Sequence, residues 1–189
     1  MGSARGRVRC DPQTAAGAPR SAAIISGNRF EVRPLEERDL PALLDLFRRV
    51  AAERLWLGTE PGFDEARYLE GWRAMIRGTW GTSFAAVDEH NELLGQIALT
   101  PHAEYGWLVG MLVDERARGR GIGSAMLDTI TEWARGRGID AIRLFVFPHN
   151  EAGLALYRKA GFVETERFVD DVERQTGEVW DTILMTKTL

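Results

Sequence analysis

A single cysteine, Cys10, stands in this chain of 189 residues, so neither a disulfide framework nor a cysteine-based metal cluster can be built from it. Only three histidines occur, His90, His102 and His149, and no two have a ligand spacing such as H-x-x-x-H; no metal site is expected. No apolar run approaches the roughly 20 residues that cross a bilayer, and residues 1–29 lack the continuous apolar stretch of a secretory signal. A basic excess is missing too. The formal net charge is −4, the wrong sign for a general nucleic-acid binder. What is present is an ordinary globular composition, 44% hydrophobic and 28% charged, in a chain suited to one domain with a real core. With one cysteine and no membrane or export signal, a reducing, cytoplasmic setting is expected.

Residues 1–28 are rich in Ala, Gly, Ser and Arg without helical or strand period, and are expected to be a disordered tail before a domain at 29–189. "FEVRPLE" alternates as a first strand. Asp39 is expected to N-cap a helix carrying Leu40, Leu43, Leu44, Phe47 and Val50, and Asp64 a second helix carrying Leu69, Trp72 and Met75. "SFAAVD" and "LLGQIALT" read as a hairpin, and "YGWLVGMLV" as a longer apolar strand. A helix from Ile122 stops in "RGRG"; "AIRLFVF" is a buried strand. Asn150 caps a short helix that Gly161 ends, and two strands around "RQTGE" close the chain. The order predicts an α/β fold, a mixed sheet flanked by helices.

Chemistry concentrates at "RARGRGIGS", residues 116–124, between the apolar strand and its helix. A helix N-terminus presents unpaired amides and about half a positive charge, which makes it an anion site. Glycines let the backbone approach an anion closely, and arginines add permanently charged, bidentate partners. Gly119, Gly121 and Gly123 are spaced G-x-G-x-G, with Ser124 where the dinucleotide fingerprint needs its last glycine; neither that fingerprint nor the ATP P-loop is matched. The competing reading is a solvated basic turn at the start of a core helix.

Arg118-x-x-Gly121-x-Gly123 resembles the [QR]-x-x-G-x-[GA] acetyl-coenzyme A motif of the GNAT superfamily of N-acetyltransferases. "NEAGLALYRKAGF" is similar to a second block of that family, with Asn150, Tyr157, Lys159, Gly161 and Phe162 in place. The resemblance spans residues 30–189 and is tightest over 108–163. It implies a GNAT fold, with a mostly antiparallel sheet whose central strands splay. It also implies acetyl-CoA as co-substrate, no metal, and a direct attack by an amine within one ternary complex. The amides of Arg118, Gly119, Arg120, Gly121, Ile122, Gly123 and Ser124 would cradle the pyrophosphate. Met111, Leu112 and Val113 would pair with the pantetheine arm, Asn150 would hydrogen-bond it, and Lys159 would join the cofactor site. Tyr157 would protonate the departing thiolate, a nearly thermoneutral transfer at an ordinary phenol pKa of about 10.

The family's strand glutamate, about ten residues before the motif arginine, is replaced here by Trp107 and Leu108. Glu104, with His102 beside it, is the nearest candidate base; Glu53 or Glu60 acting through water is the alternative. At pH 7 a lysine-type amine is neutral in roughly 4 in 10,000 molecules and an α-amine in about one in ten. The expected acceptor is therefore a primary amine of modest pKa, on a small molecule or a polypeptide N-terminus. The acids of "VETERFVDDVERQTGEVWD" and Trp56, Trp72, Trp80 and Trp107 are weighed for an acceptor pocket against a solvated hairpin and core packing. Two other readings remain: a non-catalytic acyl-CoA-binding sensor or assembly domain, and nucleic-acid binding through Arg116, Arg118, Arg120, Arg135 and Arg137. The overall acidity argues against nucleic acid. A homodimer is compatible with such a fold.

Overall fold

Period-two and helical patterns resolve into eight strands and four α-helices in the computed structural model, which describes residues 21–25 and 28–189, with side chains from Phe30 onward. In chain order these are β1 (Ser21–Ile25), β2 (Asn28–Pro34), α1 (Leu40–Ala52), α2 (Glu65–Ile76), β3 (Thr82–Asp88), β4 (Leu93–His102) and β5 (Gly106–Val113). There follow α3 (Ile122–Arg135), β6 (Ala141–Val146), α4 (Glu151–Lys159), β7 (Val163–Glu173) and β8 (Val179–Thr188). One sheet takes all the strands in the order β1-β2-β3-β4-β5-β6-β8-β7. Every adjacent pair is antiparallel except β5 and β6.

That exception shapes the molecule. β4 and β5 share eight register pairs, from Gly95–Val113 to His102–Gly106, whereas β5 and β6 share one, Leu108 with Arg143. Beyond it the two strands part, so Met111, Leu112 and Val113 are paired only on the β4 side. The sheet is therefore two plates, β1–β5 and β6-β8-β7, that diverge from a single contact. The expected splay is borne out.

A core on each face holds the plates. Met126, Leu127 and Ile130 of α3 and Leu154 of α4 pack with Val109, Ile142, Leu144 and Ile183. On the other face Leu43, Leu46, Phe47 and Val50 of α1 and Trp72 of α2 pack with Ala85, Val87 and Leu112. The second core lies on the β1–β5 plate. On that same face the alternation of β6 turns Arg143 and Phe145 outward, and Phe145 is left 38% exposed.

Two local expectations need correcting. Asp39 precedes α1 but makes no side-chain cap. Its carboxylate instead takes two bonds from the buried Arg33 guanidinium, at 2.7 and 2.8 Å, and one from the Glu36 amide; a buried arginine demands a carboxylate more strongly than a helix end does. The expected tail through residue 28 falls partly on residues 1–20 and 26–27, outside the described residues. Within it Ser21–Ile25 forms β1 on β2, a strand whose Ser-Ala-Ala-Ile-Ile sequence carries no alternation.

Candidate active site

At the end of β5 the chain makes its sharpest use of charge and glycine. Asp114, 3% exposed, accepts from the Arg116 amide and guanidinium and from Arg49, at 2.7–3.0 Å. These bonds, the Arg116 side chain first, hold its carboxyl far below the usual range. They also fold residues 115–117 into one 3-10 turn. Arg118 then leaves the turn in extended backbone. Gly119 and Gly121 follow with φ of 76° and 80°, a left-handed conformation that residues with a Cβ adopt at a cost. Gly121 is the N-cap of α3, and no side chain caps the helix. The amides of its first turn are left for an outside acceptor.

The three arginines of the loop have separate roles. Arg116 is bound to Asp114. Arg118, one of the loop arginines expected to lend charge to an anion, commits its side chain elsewhere: it donates to both oxygens of Glu53, at 2.8 and 2.6 Å, and to the Val113 carbonyl, beneath the Trp56 ring. A carboxylate at the end of α1 neutralises it, so its side chain fixes the loop. Arg120 makes no ion pair among the described residues, and its Nε is buried without a hydrogen-bond partner. It is the loop cation left for a ligand.

Ile122 is buried in the core, so only its backbone faces the loop, while Ser124 is half-buried one turn into α3. Gly123 marks a junction: a Cβ there would stand 2.8 Å from Leu156 of α4 and 3.6 Å from Met111 of β5. The two sequence blocks and the end of β5 thus meet around the gap. Asn150 caps α4, its Oδ1 accepting from the Gly153 amide at 2.9 Å, which leaves its Nδ2 as a donor. Lys159 is exposed in the last turn of α4, where a cation suits the helix dipole.

Tyr157 is half-buried against the α3–α4 core, its ring 6.0 Å from Phe162. Burial pushes its phenol up to about 12, above the ordinary value assumed from the sequence. The proton is therefore held through the physiological range, and complete transfer to a thiolate becomes uphill by about two pKa units.

The candidate bases fare differently. Glu104 lies exposed in the β4–β5 turn, four residues before the strands part, with His102 Nδ1 accepting from its amide. Glu53 is bound by Arg118 and Trp56, and the Arg118 bond leads in holding its carboxyl below the usual range. Glu60 is 7% exposed and bound by Arg54, Arg174 and the Gln175 amide. Both act as anchors. Neither is shaped as a base.

The face of the gap away from α3 and α4 was not legible beforehand. Its wall is the α1–α2 connection, held by Arg174 of the β7–β8 turn, with His149 Nε2 bonded to the Leu55 carbonyl at 2.8 Å. Phe147 and His149 stack beside it and Trp180 meets both edge-on, with ring centroids 4.7–5.4 Å apart. Of the four tryptophans weighed for a pocket only Trp56 belongs here. Trp72 is in the α1–α2 core, Trp107 packs on Trp133, and Trp80 is 43% exposed at the surface. An arginine inside an acidic hairpin sequence was the only available signal for Arg174. The basic stretch imagined for nucleic acid is broken up as well: Arg116 and Arg118 are neutralised, and Arg137 stacks on Trp133 at 3.8 Å. Among the described residues no group of His, Cys, Asp and Glu is placed to hold a metal ion, and no helix is long and apolar enough to cross a membrane.

Comparison with known proteins agrees with this geometry. Residues 50–162, more than half of the chain, match the family described as Acetyltransferase (GNAT) family. The Bacillus subtilis (strain 168) protein YwnH, provisionally named a phosphinothricin acetyltransferase, is 28% identical over 165 residues, 84% of this chain and 98% of that one. Other curated relatives match over shorter segments, in which this chain spans 21–48% of their length. Among solved structures, the ribosomal-protein-alanine N-acetyltransferase of Brucella melitensis is 25% identical with a TM-score of 0.76, over 84% of this chain and 99% of that one. A phosphinothricin acetyltransferase of Sinorhizobium meliloti, solved in complex with AcCoA, shares the fold at 18% identity with a TM-score of 0.75, over 84% and 87% of the two chains.

Proposed function

From the membership of this chain in the GNAT acetyltransferase family, we propose that it transfers acetyl from acetyl-CoA to a primary amine of modest pKa, on a small molecule or a polypeptide N-terminus. The observation that carries the reading is the β5–β6 gap with an uncapped, glycine-led α3 at one end, where Gly123 meets Met111 of β5 and Leu156 of α4, the neighbour of Tyr157. The residues fit the coenzyme: α3 offers free first-turn amides, Gly119 and Gly121 keep side chains out of the way, and the unpartnered Arg120 Nε awaits an acceptor.

The thioester of acetyl-CoA supplies an activated acetyl group. The first-turn amides and Arg120 hold the pyrophosphate, while Arg118, fixed by Glu53, keeps the loop open. The unpaired edge of Met111, Leu112 and Val113 offers backbone groups to the amides of the pantetheine arm, with Asn150 Nδ2 as a further donor. Tyr157 Oη would keep its proton and donate a hydrogen bond toward the sulfur, stabilising the negative charge that develops there as the C–S bond breaks and the N–C bond forms. The amine's proton would pass to water, from which the released thiolate is protonated. With Glu53 and Glu60 committed to ion pairs, base help to the acceptor falls to Glu104 through water, or to bulk water where the amine pKa is low. The names of the relatives, phosphinothricin and ribosomal-protein alanine, support a compact acceptor. A cytoplasmic setting belongs to the same proposal and rests on the single cysteine.

The test is calorimetric titration with acetyl-CoA, followed by thiol release with L-phosphinothricin, an alanine-initiated peptide, spermidine and kanamycin. Saturable binding with turnover on the first two is expected. Tight binding with no turnover on any amine would favour the non-catalytic sensor, and absence of binding would end the reading.

A further inference from the structure

We propose that Arg174 is a positioning residue for the acceptor: it ties the α1–α2 connection to the β7–β8 turn across the gap, and so fixes the opening through which the amine enters. The inference rests on the acetyl-transfer reading above. Because β5 and β6 share one register pair, the angle between the two plates is set by whatever else spans them. On the α3–α4 face that is the junction of Gly123, Leu156 and Met111. On the opposite face Arg143 donates to the Tyr105 carbonyl at one end of the gap and His149 bonds the Leu55 carbonyl at the other, and Arg174 is the buried cation among these ties.

The geometry is specific. Arg174 is 3% exposed, and its guanidinium donates to the carbonyls of Leu57 at 3.0 Å and Arg54 at 3.2 Å, on partners 117 and 120 residues away. It sits 4.3 Å from the centre of the Trp180 ring and 3.5 Å from the Glu60 carboxylate that balances its charge. Gln175 extends the clamp, its amide donating to Glu60 at 2.7 Å and its Nε2 to the Pro61 carbonyl at 3.0 Å. The α1–α2 connection belongs to the β1–β5 plate and the hairpin to the other, so these bonds join the plates. A buried cation is costly unless fully partnered, and the planar fork gives each carbonyl its own nitrogen at a fixed separation, which the single nitrogen of an ammonium does not reproduce. If Tyr157 meets the sulfur from the α4 side, the amine must approach the carbonyl carbon from this face.

The experiment measures acceptor KM, kcat and acetyl-CoA Kd for wild type, Arg174→Met, Arg174→Lys and Gln175→Ala, using the fastest amine of the panel above. Arg174→Met is expected to raise acceptor KM about tenfold or more while acetyl-CoA Kd stays within about twofold. Arg174→Lys should recover only part of the loss. Gln175→Ala, which keeps the buried cation, should shift KM the same way by a smaller factor and serves if Arg174→Met does not fold. Glu53→Gln is the reference: it should weaken acetyl-CoA instead. A lowered Tm with acceptor KM unchanged, or equal shifts in KM and coenzyme Kd, overturns the proposal. No wild-type turnover on any amine overturns the acetyl-transfer reading and this inference with it, whereas wild-type turnover with KM indifferent to Arg174 overturns this inference alone.

Discussion

A single run of chain, residues 114–124, makes the side of the gap proposed for the coenzyme's phosphates, whereas the facing wall takes its parts from the α1–α2 connection, from Phe147 and His149, and from Arg174 to Trp180. The first side is organised by backbone: left-handed glycines, a 3-10 turn, an uncapped helix. The second is organised by side chains whose partners lie 94 to 120 residues away. Local backbone geometry tolerates change elsewhere in the protein. A wall built from distant partners moves whenever either plate moves. On the proposed reading, coenzyme affinity belongs to the first region and acceptor affinity to the second, and four measurements can break or sharpen that contrast.

The largest effect is expected at Gly121. Its φ of 80° and its place at the start of α3 make Gly121→Glu both strained and repulsive to phosphate, so acetyl-CoA Kd should rise more than about 100-fold with the circular dichroism unchanged. Unaltered affinity in a folded variant would remove the loop from the coenzyme site. Next comes Tyr157→Phe, expected to lower kcat by about 100-fold or more with coenzyme affinity retained. Because burial holds this phenol near 12, kcat should show no loss below about pH 10 that disappears in Tyr157→Phe; a Tyr157-dependent limb near pH 8 would contradict its role as a standing donor.

Third is the division among arginines. Arg120→Ala should weaken acetyl-CoA about tenfold and reduce the salt dependence of binding, while Arg116→Ala, which touches only Asp114, should change it less than about threefold. The reverse ranking would return phosphate binding to the paired cation. The smallest effect concerns the Glu53–Arg118 pair. With its folded value depressed, Glu53 contributes stability in full above the unfolded carboxyl value of about 4.3, and loses it as pH falls through the lower folded value. The Tm difference between wild type and Glu53→Gln should be about 2–4 °C from pH 8 to 5 and shrink below pH 4; a difference that grows in acid would show the pair to be wrongly assigned.

The same contrast explains what could be read in advance. The element order from β2 to β8 follows from periodicity, which is local; the splay was implied only by the resemblance of two contiguous blocks to the family, and the meeting of Gly123 with Leu156 of α4 had no signal of its own. The direction of the Arg118 side chain was not readable, since its partner lies 65 residues away. Asp39 was misassigned for a similar reason: spacing offers it a helix end, and only the fold brings a buried guanidinium to it. Arg174 sits in a stretch whose composition announces a solvated hairpin, and its meaning appears only when the hairpin is laid against residues 54–60. β1 is a different case, an edge strand held by pairing with β2 rather than by a pattern of its own.

The lone Leu108–Arg143 pair gives the sheet an inner border. Border strands ordinarily invite a stranger to add itself, and here that invitation is enclosed within the molecule. A guest with amide groups that settles along Met111–Val113 completes the hydrogen bonding of its host, so loading and stiffening become one event. Hydrogen exchange at those amides, read with and without the guest, would report occupancy in a protein whose chemistry has been switched off.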